Sequence, residues 1–454
     1  MGLALSGCAT FSGDGGFNDV SSMTQQRIGL PVAASTPGNI AATESMVTDL
    51  LSKPLTADSA VRVALNNNRG LQAAFSELGV AEADFVQAGR ISNPAFHFKR
   101  MRGGDDVEIE RGIIFSLVGL ATMPIRSKIE GGRFEQAKLQ AASQAVRLAG
   151  DTRRAYFQAV AAQQMLQFSE QVKTSAEAGA ELAQRMARIG NFSKLDYARE
   201  QAFYADATAQ HARAVQGATA AREQLTRLLG LWGPQLAFAL PDRLPDLPAT
   251  LAQTGDVESQ AMQQRLDIQI AKRDTAATAN ALGLTRATSF INVLDAGYVN
   301  KSQTGTPRAN GYEVSLQLPL FDWGGARTRK GEAQYMAAVH RTADTAVRAR
   351  SEVRQAYAAY RSNFEIAKHY RDEIVPLRKK IADEVGLRYN GMLASVFELL
   401  AEARVQATSV NGAIEAQRDF WLAETDLQAA INGSGDETTQ KAAKPSAAAA
   451  TAGH

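Results

Sequence analysis

The chain has 454 residues, a formal net charge of +2 and 21% charged residues, so no strong field marks a nucleic-acid partner or an acidic substrate. A single cysteine excludes a disulfide framework and a cysteine-rich metal site, and five scattered histidines (His97, His211, His340, His369, His454) exclude a multi-histidine cage. No run of about 18 apolar residues is present, so a membrane would be met by strands, a lipid or the surface, not by a spanning helix.

Residues 1–8 read as a truncated signal ending in a lipobox. Leu5-Ser6-Gly7 places small residues directly before Cys8, the pattern that lets a signal peptidase expose a thiol for diacylglycerol. No cofactor is expected apart from that covalent lipid on Cys8. Residues 9–54 are rich in Ser, Gly, Thr and Pro and read as an extended arm. From 55 to 89, Leu55, Val61, Leu65, Leu71, Phe75 and Leu78 recur at helical spacing.

The period then changes. Phe96 and Phe98 alternate with His97 and Lys99, and Val107, Ile109, Ile113, Phe115 and Leu117 alternate with polar neighbours, with Gly103-Gly104-Asp105-Asp106 between the two runs. This is a β-hairpin. A long helix without proline is expected over 127–189, a turn at Gly190-Asn191, and a second helix over about 192–229. Residues 231–255 form a proline-rich linker. The second half expects a helix near 256–284, strands near 289–299 and 311–319, a long helix over 327–389 interrupted by Pro376, a break at Gly391 and a last helix over 395–431. The polar, alanine-rich tail 433–454 is expected to be disordered.

The two halves repeat. A shift of 201 positions aligns Ile113 with Val314, Phe115 with Leu316, Leu117 with Leu318, Arg153 with Arg354, Tyr156 with Tyr357 and Gly190 with Gly391. Residues 55–230 are the first structural repeat and 256–432 the second: helix, two strands, long helix, turn, helix. The fold class is therefore mainly α, an internally duplicated array of long helices with four β-strands per chain. Four tilted strands of bilayer-crossing length cannot close alone, and membrane barrels start at about eight strands. Three copies would supply a 12-stranded barrel, whereas a soluble four-stranded sheet is the competing reading.

These features resemble the TolC-like outer-membrane efflux proteins, in their lipoprotein branch. The segments that carry the resemblance are Leu55-Thr56-Ala57-Asp58-Ser59-Ala60 through Asn67-Asn68, Asn93-Pro94, Leu228-Leu229-Gly230, Leu318-Pro319-Leu320-Phe321-Asp322-Trp323-Gly324-Gly325 and Arg388-Tyr389-Asn390-Gly391. The resemblance implies a lipid-anchored homotrimer in the outer membrane whose β-barrel continues into a periplasmic α-helical tunnel. It implies a periplasmic adaptor protein and an inner-membrane pump of the resistance-nodulation-division type as partners, outer-membrane lipid as surroundings, and passive passage of cargo. It places Gly190 and Gly391 at the periplasmic tip.

Asp196 lies six residues after Gly190, where the family often has an acidic residue tied to the closed aperture. Glu200 is one turn further on. In the second half the turn is one residue longer, which puts Phe397 and Glu398 at the corresponding place. Each carboxylate is either an aperture group or a helix-start residue favoured by the helix dipole, and Phe397 is an alternative apolar constriction. Arg185, Arg188, Arg388 and Leu393 flank the turns as adaptor-contact candidates, with dipole complementarity as the simpler reading of the arginines. His369 and Glu373 at i,i+4 read as a surface pair rather than metal ligands. No metal site is assigned. No G-x-S-x-G, H-E-x-x-H, P-loop or dinucleotide fingerprint is present, so no catalytic residue is assigned and the expectation is a non-enzyme. The function expected is an efflux duct. Asn390-Gly391-Met392-Leu393 with Phe397-Glu398-Leu399-Leu400 is closer to the metal-efflux subgroup. The alternative is a periplasmic coiled-coil structural or adaptor protein without a pore.

Overall fold

The computed structural model describes residues 10–36, 38–251, 255–289 and 293–433. Cys8 with its lipobox, residues 290–292 of an expected strand, and the tail from 434 lie outside the described residues. The chain divides into two compact units. One comprises Met1–Met23, Ala73–Ala142 and Leu266–Arg348; the other comprises Thr24–Gln72, Ser143–Arg265 and Ala349–His454. Each unit draws on both repeats.

The first unit carries the sheet. Strands β1 (Ala95–Gly103), β2 (Asp106–Ser116), β3 (Leu294–Gln303) and β4 (Ala309–Leu316) form one antiparallel meander in sequence order. Phe96 stands opposite Ile113, Ile113 opposite Tyr298, and Tyr298 opposite Tyr312. Side chains alternate across a pleated sheet, so one face carries these four with Phe115, Val314, Leu294 and Leu316. The Tyr298 and Tyr312 rings meet on it, 6.2 Å between centroids. The other face carries His97, Lys99, Glu108, Glu110, Lys301 and Glu313, with Lys301 Nζ 2.7 Å from Glu108. The outer edges of β1 and β4 have no strand partner among the described residues. The second hairpin is shifted from the expected 289–299 and 311–319, and Leu117, expected on a strand, opens a helix instead.

That helix, α5 (Leu117–Arg188), starts ten residues before the expected 127 and contains Pro124. A proline this near the start removes a single intrahelical bond, which a helix of 72 residues tolerates. The segment 9–54, expected to be an extended arm, carries α1 (Phe17–Ile28) and α2 (Ile40–Leu51). The reason for the miss is composition. Val20 and Thr24 are the fully buried positions of α1, an i,i+4 stripe too narrow for a clear apolar period. Long-range polar contacts also fix this part of the chain. Ser12 donates from its backbone N–H and its hydroxyl to the buried Glu82, 2.6 Å each, and Lys138 pairs with Asp19 at 2.7 Å.

The second unit shows the repeat in atomic detail. Each expected opening helix is split. Residues 55–89 become α3 (Ala57–Asn67) and α4 (Arg69–Ala88), and 256–284 becomes α7 (Val257–Gln264) and α8 (Leu266–Ala287). The two splitting residues do the same work. Asn68 Nδ2 donates to the Leu228 carbonyl (2.9 Å) at the end of α6 (Lys194–Leu229). Arg265 Nη1 donates to the Ala430 carbonyl (2.8 Å) at the end of α11 (Val396–Asn432). Both satisfy carbonyls that a helix end leaves orphaned. Likewise Arg153 pairs with Asp58, and its repeat mate Arg354 pairs with Glu258 at 3.5 Å. The core combines Leu55, Val63, Leu225, Leu229 and Val160 with a second cluster around Phe420, Tyr360 and Phe364. Tyr156, fully within the first cluster, donates to the Leu55 carbonyl at 3.0 Å, and burial pushes its phenol up to about 12.

The second long helix is α9 (Gly325–His369) followed, after a π-turn over Tyr370–Ile374, by α10 (Val375–Asn390). The expected break at Pro376 is thus displaced to the preceding π-turn, which accommodates the missing N–H without ending the helical run.

Candidate functional site

The sequence points to the two turns at the ends of α5 and α10, and both lie in the second unit. The first is a Schellman closure. Asn191 N–H bonds the Met186 carbonyl (3.0 Å), Gly190 N–H bonds Ala187 (3.2 Å), and Gly190 holds the left-handed conformation at φ +80°. The second turn has the same bonds one residue later than the repeat predicts. Leu393 N–H bonds Arg388 (2.7 Å) and Met392 N–H bonds Tyr389 (3.0 Å). Gly391 stays right-handed at φ −83°, and Met392 takes the left-handed position at φ +60°. Gly391 is therefore not the structural mate of Gly190, as the 201-residue shift suggested. Met392 is.

The helices that leave the turns are capped alike. Ser193 caps α6 and Ser395 caps α11, each accepting from the backbone N–H three residues on, at 3.0 and 3.2 Å. Asp196 and Glu398 occupy these N3 positions. Asp196 accepts from the Ser193 hydroxyl at 2.6 Å and from Arg199 at 3.2 Å. Glu398 closes a capping box on the Ser395 N–H at 3.1 Å. Both carboxylates thus serve helix starts in the protomer.

Glu200 has a different setting. It is 5% exposed and paired with Arg404 of α11, whose guanidinium lies 4.4 Å from the Phe203 ring centroid. The pair lies in the wall of a cavity of about 290 Å³ between α5, α6 and α11, which Phe168, Val172, Gly179 and Ala407 also line. Glu200 therefore ties two helices together and does not share an exposed face with Asp196. Phe397 stacks on Phe192, ring centroids 4.6 Å apart, beside an apolar knot of Ala183, Phe192 and Val396. This knot joins the two turns.

Among the adaptor-contact candidates, Arg185 pairs with Glu181 and Arg388 with Glu384 (3.0 Å), while Arg188 is exposed and Leu393 is 82% exposed. Sequence reasoning missed Arg404 and Phe192, because nothing local marks a partner some 200 residues away. It also missed the exposed apolar set of Ile189, Leu195, Leu387 and Met392. Apolar residues beside a helix-ending turn were the available signal. His369 and Glu373 form an exposed pair at 3.3 Å.

No family model matches the chain. It is 25% identical over 316 residues to the cobalt-zinc-cadmium resistance protein CzcC of Cupriavidus metallidurans, over 65% of this chain and 72% of that protein. Its fold is similar to the CmeC outer membrane channel of Campylobacter jejuni, with TM-score 0.71 and 15% identity over 93% of this chain and 94% of that one. It is similar also to the open state of the MtrE outer membrane channel of Neisseria gonorrhoeae, with TM-score 0.67 and 18% identity over 83% and 89% of the two chains. Long helices in two repeats and one four-stranded sheet, its outer edges unpaired among the described residues, agree with these relatives: the chain has the fold of the solved outer-membrane channels.

Proposed function

We propose that the protein is the outer-membrane channel of a tripartite efflux system, a passive duct that carries heavy-metal cargo from a periplasmic adaptor and an inner-membrane pump to the exterior. The observation that carries this reading is the sheet. One face is apolar over the half nearest the helices, the opposite face carries the strand carboxylates, and neither outer edge has a strand partner among the described residues. In lipid an open edge leaves backbone groups unsatisfied, so the sheet is stable there only when copies close it. Three copies give twelve strands with the polar face toward the lumen. A pore-less coiled-coil adaptor has no use for such a sheet, and that alternative is not favoured. The metal-efflux reading draws on the likeness to CzcC. The proposal includes a lipid on Cys8 and adaptor docking at the tip, where Leu393, Met392 and Ile189 are exposed. Asp196, Glu398 and Phe397 remain the aperture candidates.

The test is genetic. Deletion of the gene is expected to sensitise cells to zinc, cobalt or cadmium beside copper, silver and nickel, with little change across dyes, detergents and antibiotics. The intact gene restores growth, and Cys8→Ser restores it incompletely. Broad drug sensitivity with unchanged metal tolerance would reject the cargo assignment.

A further inference from the structure

The apolar face of the sheet does not stay apolar. Toward the two hairpin turns, beyond the row Phe96, Ile113, Tyr298 and Tyr312, the next row on the same face reads Phe98, Arg111, Asn300 and Asn310. Arg100, Ile109 and Ser302 follow, and then Arg102 and Val107. The Asn300 side chain donates to Asn310 at 2.6 Å, which confirms that these positions share a side. Three arginines therefore occupy the distal part of the face on two adjacent strands. Rows on one face are about 7 Å apart, so the guanidinium groups can converge on one anion.

Charge is segregated across the sheet. The strand carboxylates Asp106, Glu108, Glu110, Asp295 and Glu313 all lie on the opposite face, with Lys99 and Lys301. There Lys301 is paired with Glu108 at 2.7 Å. On the arginine side Arg100, Arg102 and Arg111 are exposed, and no ion pair involves them among the described residues; Arg102 Nε reaches only the Gly104 carbonyl at 3.3 Å. Unpaired guanidinium groups next to Phe96, Phe98 and Tyr312 are costly inside hydrocarbon and nearly neutral at its boundary. Their position on the face therefore marks where hydrocarbon ends.

We propose that Arg100, Arg102 and Arg111 form a binding surface for the phosphate groups of phosphorylated lipids in the outer leaflet, a conclusion that rests on the barrel reading above. The planar guanidinium fork suits phosphate oxygens, and the apolar rows below it receive the acyl chains of the same molecule. That continuity selects a phosphorylated amphiphile over a free anion. The trimer carries nine such arginines around its rim.

The experiment uses the purified full-length trimer in detergent. Binding is measured for lipid A with both phosphates, for lipid A with its phosphates removed, and for inorganic phosphate. The wild type is expected to bind the phosphorylated lipid at least tenfold more tightly than the dephosphorylated one, and to ignore inorganic phosphate at millimolar concentration. The variant R100S/R102S/R111S is expected to lose this preference. Lys99→Ser, which removes one cation from the opposite face, is expected to keep it. If the serine variant fails to assemble, R100K/R102K/R111K keeps the charge without the fork and is expected to bind at least threefold more weakly than the wild type. Equal binding of the two lipids, an unaffected arginine variant, or tight binding of inorganic phosphate would overturn the assignment. A chain that never forms a trimer would overturn the barrel reading itself.

Discussion

Glu200 illustrates how a residue's role is set by a partner far along the chain. From sequence it sits one turn from Asp196 and looks like a companion carboxylate. In the fold it is buried and neutralised by Arg404, 204 positions later. Removing one member of a buried pair costs about 3–5 kcal/mol, and the partial exposure of Arg404 reduces the expectation for Arg404→Ala to about 2 kcal/mol. It is read as faster amide exchange in α6 and α11. Replacing both residues with leucine is expected to recover most of the loss, and an unperturbed Arg404→Ala would show that the pair is idle. Glu424 offers a pH test. Burial raises its carboxyl above the ordinary range, with Arg153 pulling partly the other way. A raised carboxyl binds protons more tightly in the folded state, so stability falls as pH rises from 4.5 through the raised value. Glu424→Gln should therefore raise the melting temperature at pH 7.5, with the gain fading as pH drops below the carboxylate range. An equal gain at pH 4 would contradict this origin.

At the scale of elements, the turn at Met392 carries strain that its counterpart at Gly190 avoids. A non-glycine residue in the left-handed region costs about 1 kcal/mol. Met392→Gly is expected to slow proteolysis or amide exchange at the α10–α11 turn about fivefold. A turn that opens faster in that variant would show that the methionine side chain itself holds the closure. Element type was largely legible: the hairpins, both long helices and the turns near 190 and 391 followed from period and punctuation. Three kinds of feature were not. Asn68 and Arg265 split helices because each bonds a distant helix end, which no local pattern encodes. The helix α1 depends on tertiary contacts such as Asp19 with Lys138, and α2 is held by Val47, Leu50 and Leu51 packing into the core of the second unit. The extra residue expected in the second turn lies in the helix before it, because Met392, and not Gly391, takes the left-handed position. The site was half legible: its turns and the helix-start placement of Asp196 and Glu398 were visible, whereas the serine caps, the Glu200–Arg404 pair and the Phe192–Phe397 stack were not, the last two joining segments some 200 residues apart.

At the scale of the whole molecule, the described residues supply four strands and two unpaired edges, while the helices repeat the same programme twice. On the proposed function, a sheet left open in lipid is incomplete, and closure by identical copies would complete it. The proposed barrel accounts for the apolar rows, the segregated charges and the edges unpaired among the described residues as the outside, the inside and the seams of one cylinder. The most direct test is therefore assembly in the native membrane. The outer-membrane fraction should yield, by native mass spectrometry, a heat-modifiable species of three copies of the 48.6 kDa chain that conducts ions in a planar bilayer. Recovery of a soluble monomer that neither inserts nor conducts would contradict the account.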